Sequence, residues 1–294
     1  SFMAMNSFKV QYRGRSAHAA ANPQQGRSAL KAIQLLETGV HYMREHIPPE
    51  GRVHSVITDG GGAPNVVPAF AEAWYYIRAP KRNTVDQIYA WVQDIIKGAA
   101  LMTQTTYEID FLTGCHEMLA NYTIGQNLLE NMQKIGGPLF SADDHTLAKE
   151  ISDSIPPDML QAAKQALLSG FKQGTTWADV GEYLSESVVE PDWDTKAIMG
   201  GSTDVADVSF ITPTANLVTC TAPLGTPGHS WQNVVASGSG IGLTGAVYAA
   251  KVMALTTIDL LTRPELLQAA RDEFVKSTGG KKYVSPLPDG AIPR

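Results

Sequence analysis

SFKVQYRGRSAHAAANPQQGRSAL, residues 7–30, passes from a two-residue to a 3.6-residue hydrophobic period across a single loop. Phe8, Val10 and Tyr12 alternate with Ser7, Lys9 and Gln11, which predicts a half-buried strand over 7–13. Beyond the loop, Leu30, Ile33, Leu35, Leu36, Val40 and Met43 recur at helical spacing. They predict a helix over 27–46, ended by Pro48 and Pro49. Between the two lies His18, the one large side chain among Gly14, Ala17, Ala19 and Ala20. Small neighbours leave the imidazole as the group that such a loop projects.

Further along the chain, strands are predicted at 53–58 and 70–78, then a helix over 84–102 with Val85, Ile88, Trp91, Val92, Ile95 and Ile96 on one side. A strand over 106–112 closes the unit. The order β-α-β-β-α-β is the ferredoxin-like split arrangement, one antiparallel sheet covered by two helices. Residues 1–117 are therefore expected to form a first, α+β domain. Past it the texture changes to Gly136-Gly137-Pro138, Pro156-Pro157 and a polar stretch over 172–197 without a clean period. A strand at 215–222 and helices at 231–259 and 264–277 restore order, before a tail beginning KKYVSPLP. One strand cannot make a sheet, so residues 118–294 are expected to be part of a larger α/β domain, and the fold class is α/β.

The 294 residues are 44% hydrophobic and 18% charged, with a formal net charge of −6, which suits a globular protein and excludes electrostatic attraction to nucleic acid or to an anionic membrane. Cys115 and Cys220 lie far apart, so no disulfide framework is expected and the cytoplasm is the expected location. The longest apolar run, 241–261, is broken by Gly242, Thr244, Gly245, Lys251 and Thr256; a buried helix is expected there rather than a membrane span. The opening residues SFMAMN lack the basic and apolar regions of a signal peptide and read as the middle of a longer protein.

Seven histidines are present, and position separates them. His41 and His46 share a helix at a spacing that puts them on different faces, His54 sits within a strand, and His145 follows Asp143 and Asp144 at a helix start. These are expected to be structural. His229, in TPGHSWQ, stands in a turn after the expected strand, where α/β folds place ligands, and a neutral imidazole there suits zinc or manganese. The loop GGGAPNVVP at 60–68 has no Lys-Ser/Thr and no following helix, which excludes a phosphate-binding P-loop. Arg78 ends the run AWYYIRA; a strand-end guanidinium can hold a carboxylate, although composition by itself favours a surface ion pair. In MGGSTDVADVS, 199–209, Ser202, Thr203 and Asp204 are candidate caps of a short helix, and the backbone there could receive a carboxylate or an oxyanion.

The ordered series SAHAAANP, GGGAPNVVP, the strand arginine, GGSTDVADVS and PGHSWQ resembles the M20 metallopeptidase and amidohydrolase family over essentially the whole chain. The resemblance implies a ferredoxin-like lid and dimerisation domain, and the C-terminal portion of a phosphorylase/hydrolase-like α/β catalytic domain that binds two divalent metal ions, zinc or manganese. His18 matches the lid histidine that enters a partner subunit's site and stabilises the oxyanion. Asn65 and Arg78 match residues that orient the substrate's carbonyl and carboxylate, Gly201, Ser202 and Thr203 a substrate-binding turn, and His229 the last metal ligand. The implied substrate is an aroyl-glutamate amide such as p-aminobenzoyl-glutamate; the implied assembly is a homodimer through the lid, with a second homologous subunit as a further partner. An aminoacylase or dipeptidase, or a dimerisation module without catalysis, are the alternatives. The chain contains no His-x-Asp, His-x-His, Cys-x-His or Glu-Glu, the motifs that precede the lid in such enzymes. The first half of the catalytic domain is thus expected to be absent, with little or no metal bound and no activity from this chain on its own.

Overall fold

The computed structural model describes residues 2–194 and 200–291. Its contacts divide the chain into two compact units. One comprises Ser1–Leu119, Ile198–Ile211 and Lys282–Arg294, the other Ala120–Ala197 and Thr212–Lys281.

The first unit has strands β1 (Ala4–Arg13), β2 (Arg52–Asp59), β3 (Phe70–Ala79) and β4 (Thr106–Cys115), with helices α1 (Ala29–Met43) and α2 (Arg82–Thr103). All pairings are antiparallel and the spatial order is β2-β3-β1-β4. This is the ferredoxin-like order expected from the sequence. Period-2 alternation sends Phe8, Val10, Tyr12, Ala73, Tyr75 and Ile77 to one face, where all are fully buried. The helices meet that face with matching stripes, Ile33, Leu36, Val40 and Met43 from α1 and Val85, Ile88, Val92 and Ile96 from α2. Phe8 lies between Tyr75 at 5.6 Å and Tyr89 at 4.9 Å between ring centroids. Tyr12 donates from its hydroxyl to the Ile96 carbonyl at 2.9 Å, so the one polar atom of a buried ring has a partner. Ser28 caps α1 by accepting from the Lys31 amide, which places the helix start two residues later than the periodicity predicts.

The opposite face of the sheet carries the polar set of the same alternation. Lys9 and Gln11 both donate to Glu72, at 2.9 and 2.8 Å. Burial pushes the Glu72 carboxyl up, but hydrogen bonds from Lys9, Thr58 and Gln11 outweigh it and leave the group below its usual range.

The second unit is helical: α3 (Tyr122–Ile135), α4 (Ala142–Asp153), α5 (Pro157–Leu168), α6 (Trp177–Val180), α8 (Trp231–Ser237), α9 (Gly240–Thr262) and α10 (Pro264–Thr278); the single-turn α7 (Val205–Val208) belongs to the first unit. Leu128 of α3 packs with Tyr248 and Val252 of α9. Asn127 and Asn131 of α3 both donate to Asp259 of α9 at 2.9 Å, which holds that carboxyl below its usual range. The strand expected at 215–222 is not formed. Those residues run without a ladder, because no second strand lies beside them among the described residues of the unit. The helix expected over 231–259 is two helices, broken at Gly238-Ser239, where Ser239 accepts from the Ile241 amide and starts α9. By length and composition α9 could cross a membrane, with a mean hydropathy of 1.4 over 18 residues of which 33% are buried. Its Thr256 and Asp259 are instead engaged by the asparagines of α3.

Candidate functional site

The histidine loop is built by backbone pairing against the glycine-rich loop. Gly14 donates to Ala69 at 2.8 Å, Val67 to Ala17 at 2.9 Å, and Ala19 to Asn65 at 2.9 Å, while Arg15 and Arg27 exchange both bonds across the loop's neck. Gly14 is required there, since a Cβ would stand 1.9 Å from the Arg27 carbonyl oxygen. Gly61 sits at φ +92 with the Pro68 ring against its open side, so it too admits no side chain without strain. These bonds place the exposed His18 and Asn65 side by side.

The His18 ring is oriented. Its Nδ1 accepts from the Ala21 amide at 3.1 Å and the Ala20 amide at 3.3 Å. A nitrogen that accepts carries no proton, so the imidazole proton sits on Nε2, which faces out as a donor. An N–H donor on a short, pinned loop is suited to meeting a developing oxyanion.

Arg78 lies at the other end of the sheet. The β3 register places Phe70 opposite Arg13, beside the histidine loop, and Arg78 opposite Met5. Eight residues of strand separate the two ends, about 26 Å at about 3.3 Å per residue. Arg78 donates from Nη1 to the Gly200 carbonyl at 2.9 Å and lies over the Tyr76 ring at 5.5 Å. No described carboxylate is within ion-pair distance of it, so the surface ion pair favoured by composition is not what holds it. Gly201 accepts from the Met3 amide at 2.9 Å, which fixes the 200–203 segment beside the start of β1. Of the expected caps, Thr203 accepts from the Val205 amide at 3.3 Å, whereas Asp204 makes no cap bond and the Ser202 hydroxyl is buried without a partner. Met199, also part of that expected turn, lies outside the described residues.

The candidate residues of the first unit thus fall into two groups at opposite ends of one sheet: His18 with Asn65, and Arg78 with Gly201, Ser202 and Thr203. His229 belongs to the second unit, exposed, at φ 56, the left-handed region that a non-glycine residue adopts at a cost. Among the described residues no three His, Cys, Asp or Glu side chains gather as a metal would require, so the residues present do not fit a two-metal centre. Cys220 lies on the wall of a cavity of about 310 Å³ in the second unit, where burial pushes its thiol up and disfavours the thiolate, and Sγ contacts the Ser185 amide and the Ala222 carbonyl.

Sequence reasoning passed over the neighbours of Arg78. Arg52 is its directly opposed partner on β2, and His54 follows two residues on, facing the same side. With Glu50, Met3, Pro80 and Gly200 they line a cleft of about 470 Å³. Burial, then the charges of Arg78, Arg44 and Arg52, hold the His54 imidazole below its ordinary range. The alternation of Arg52 and His54 about Val53 was visible in the sequence; the register that sets them beside Arg78 was not.

The first unit also matches known proteins. Residues 4–102 match the peptidase dimerisation domain of M20 enzymes. The chain is 36% identical over 285 residues to one of the subunits of the p-aminobenzoyl-glutamate hydrolase of Escherichia coli K12, covering 96% of this chain and 59% of that protein. Its residues 4–102 are thus an M20-type peptidase dimerisation domain. The chain is 28% identical over 277 residues to the Xaa-Arg dipeptidase of Mus musculus, covering 92% of this chain and 52% of that one. A solved aminobenzoyl-glutamate utilization protein from Klebsiella pneumoniae is similar over 45% of this chain and 34% of its own, at 28% identity and a TM-score of 0.39. The chain therefore spans between half and three-fifths of the length of these two relatives from Escherichia coli and Mus musculus.

Proposed function

We propose that this chain is the lid and the C-terminal part of the catalytic domain of an M20 amidohydrolase that cleaves p-aminobenzoyl-glutamate to p-aminobenzoate and glutamate. The 36% identity that runs along 96% of the chain carries this reading, and the weaker likeness to the dipeptidase makes that activity the second choice. In the reaction water adds to the amide carbonyl, the C–N bond breaks, and the amine leaves with a proton. His18 donates its Nε2 proton in a hydrogen bond to the carbonyl oxygen as negative charge builds there, Asn65 orients that carbonyl, and Arg78 holds a carboxylate of the glutamate, with the 201–203 turn beside it. Two divalent ions, zinc or manganese, belong to the complete enzyme in this reading; of their ligand set this chain carries His229. The cytoplasmic location and the division into domains at residues 117 and 118 belong to the same proposal, as does a second homologous subunit.

The separation of His18 from Arg78 supports a homodimer. A substrate whose carbonyl lies next to its glutamate carboxylates cannot touch both ends of one sheet, about 26 Å apart. Two copies joined antiparallel along the β2 edge would bring His18 of one protomer toward the Arg78 end of its partner. Val56 and Ile57 on that edge are 54% and 44% exposed, apolar groups that a monomer would leave to water. In light scattering the 294-residue chain is expected at twice its monomer mass, and Val56→Lys, an edge lysine, is expected to weaken the dimer at least about tenfold. A monomer at high micromolar concentration would refute the arrangement. The activity itself is tested by adding zinc or manganese to this chain and to the full-length enzyme. Background hydrolysis by the first and turnover of p-aminobenzoyl-glutamate by the second are expected. A full-length enzyme that cleaves only dipeptides would overturn the substrate assignment.

A further inference from the structure

Two arginines are directly opposed in the strand register at the end of the sheet, Arg52 on β2 and Arg78 on β3, and both line one cleft. Like charges in such a pair repel, and their Cα atoms are separated by about 4.5–5.5 Å. No described carboxylate neutralises either one, although Glu50 lies on the same cleft wall. Arg52 is held at the rim by Nη1, which donates to the carbonyls of Pro49 and of Gly51, the latter at 2.8 Å. Arg78 is anchored by one nitrogen on Gly200, while its Nε is buried with no partner. A buried guanidinium nitrogen left unpaired costs desolvation that an anion would recover. His54 adds a third donor on the same face, and its environment, with Arg44 also nearby, is positive.

We propose that Arg52 and His54, together with Arg78, form a dicarboxylate subsite, in which Arg78 takes one carboxylate and Arg52 with His54 takes the other, selecting substrates whose leaving amino acid is acidic. The inference rests on the reading of Arg78 given above and assigns two further residues to it. The spacing of opposed strand residues is of the same order as that between the carboxyl groups of an extended five-carbon diacid. A monocarboxylate would satisfy only one side of the pair and leave the repulsion of the other in place.

The test uses the 294-residue chain with glutarate and butyrate as probes, at low salt, by titration calorimetry and by NMR of the imidazole resonances. Glutarate is expected to bind at least about tenfold more tightly than butyrate, since one more charge-assisted contact is made. It is expected to shift the His54 resonances and raise their titration midpoint, against the fields of Arg78, Arg44 and Arg52 and in the same direction as the Glu50 carboxylate on the cleft wall; butyrate is expected to do neither. Arg52→Gln should bring the two affinities within about threefold of each other without weakening butyrate, and Arg52→Lys should restore part of the difference. Arg52 is exposed, so both variants are expected to fold. Equal affinities in the wild-type chain, or a preference that survives Arg52→Gln, would overturn the subsite while leaving Arg78 as a carboxylate holder. Binding of both probes undiminished by Arg78→Ala would overturn that assignment too. Hydrolysis by the full-length enzyme is a separate readout and decides the activity independently.

Discussion

Replacing His18 by alanine in the full-length enzyme is expected to lower kcat for the proposed substrate, p-aminobenzoyl-glutamate, by about 10²–10³-fold, the range for loss of one oxyanion donor. The expectation follows from the tautomer. With Nδ1 accepting from the amides of Ala20 and Ala21, the ring presents Nε2–H, and a donor that meets the oxyanion acts chiefly in the transition state. KM should therefore change by less than about threefold while kcat carries the loss. The side chain is exposed and its loop is held by backbone bonds, so His18→Ala is expected to leave folding and the proposed dimer unchanged. His18→Gln, which keeps an N–H donor, should recover part of the rate. Steady-state kinetics of the three proteins check this, and a His18→Ala enzyme with wild-type kcat would show that the loop serves something other than the reaction. Because His18 is proposed to act in the partner's site, mixing His18→Ala protomers with protomers inactivated in the catalytic domain should regenerate activity in the hybrid dimers.

Phe8→Ala should cost about 3–5 kcal/mol of stability, as loss of a fully buried aromatic does. Phe8 has no exposed surface, stands on the central strand β1, and its ring contacts Tyr75 of β3 and Tyr89 of α2, so the cavity opens between sheet and helix and neither side can close it alone. Urea unfolding at fixed protein concentration, followed by the near-UV signal of the first unit's aromatic residues, should show a lower midpoint with an unchanged slope. An exposed residue of the same strand, such as Arg13, should change stability by less than about 0.5 kcal/mol when replaced by alanine. A loss below about 1 kcal/mol on Phe8→Ala would mean that the sheet and helices do not pack as one cooperative core.

The ferredoxin-like unit was legible because its local periods and its tertiary contacts agree. Alternation in β1 and β3 and the stripes on α1 and α2 each bury one face, and the buried faces are the ones the sequence marks as apolar. Element ends moved by a few residues, set by particular groups such as the Ser28 cap, which a period does not encode. The second unit was less legible. Residues 215–222 have the composition of a strand, but strand formation needs a neighbour to supply hydrogen bonds, and none stands beside them among the described residues. The run over 231–259 has the composition of one helix, yet Gly238 and Ser239 divide it, because a capping serine can end one helix and start another within an unbroken apolar pattern.

Residue types and motif order were enough to mark the family, the βαββαβ order of the lid, and the candidacy of His18, Asn65, Arg78, Gly201, Ser202, Thr203 and His229. Where those residues stand came from the tertiary fold. Sheet register carries Arg78 to the end of β3 remote from His18 and sets Arg52 across from it, and both follow from hydrogen bonds between strands distant in sequence. The proton on His18 Nε2 is likewise decided by two backbone amides that turn toward Nδ1 only once the loop has closed on residues 65–69. A sequence names the side chains that can do chemistry, because chemistry belongs to residue types; which of them share a site depends on pairings between segments that no local pattern records.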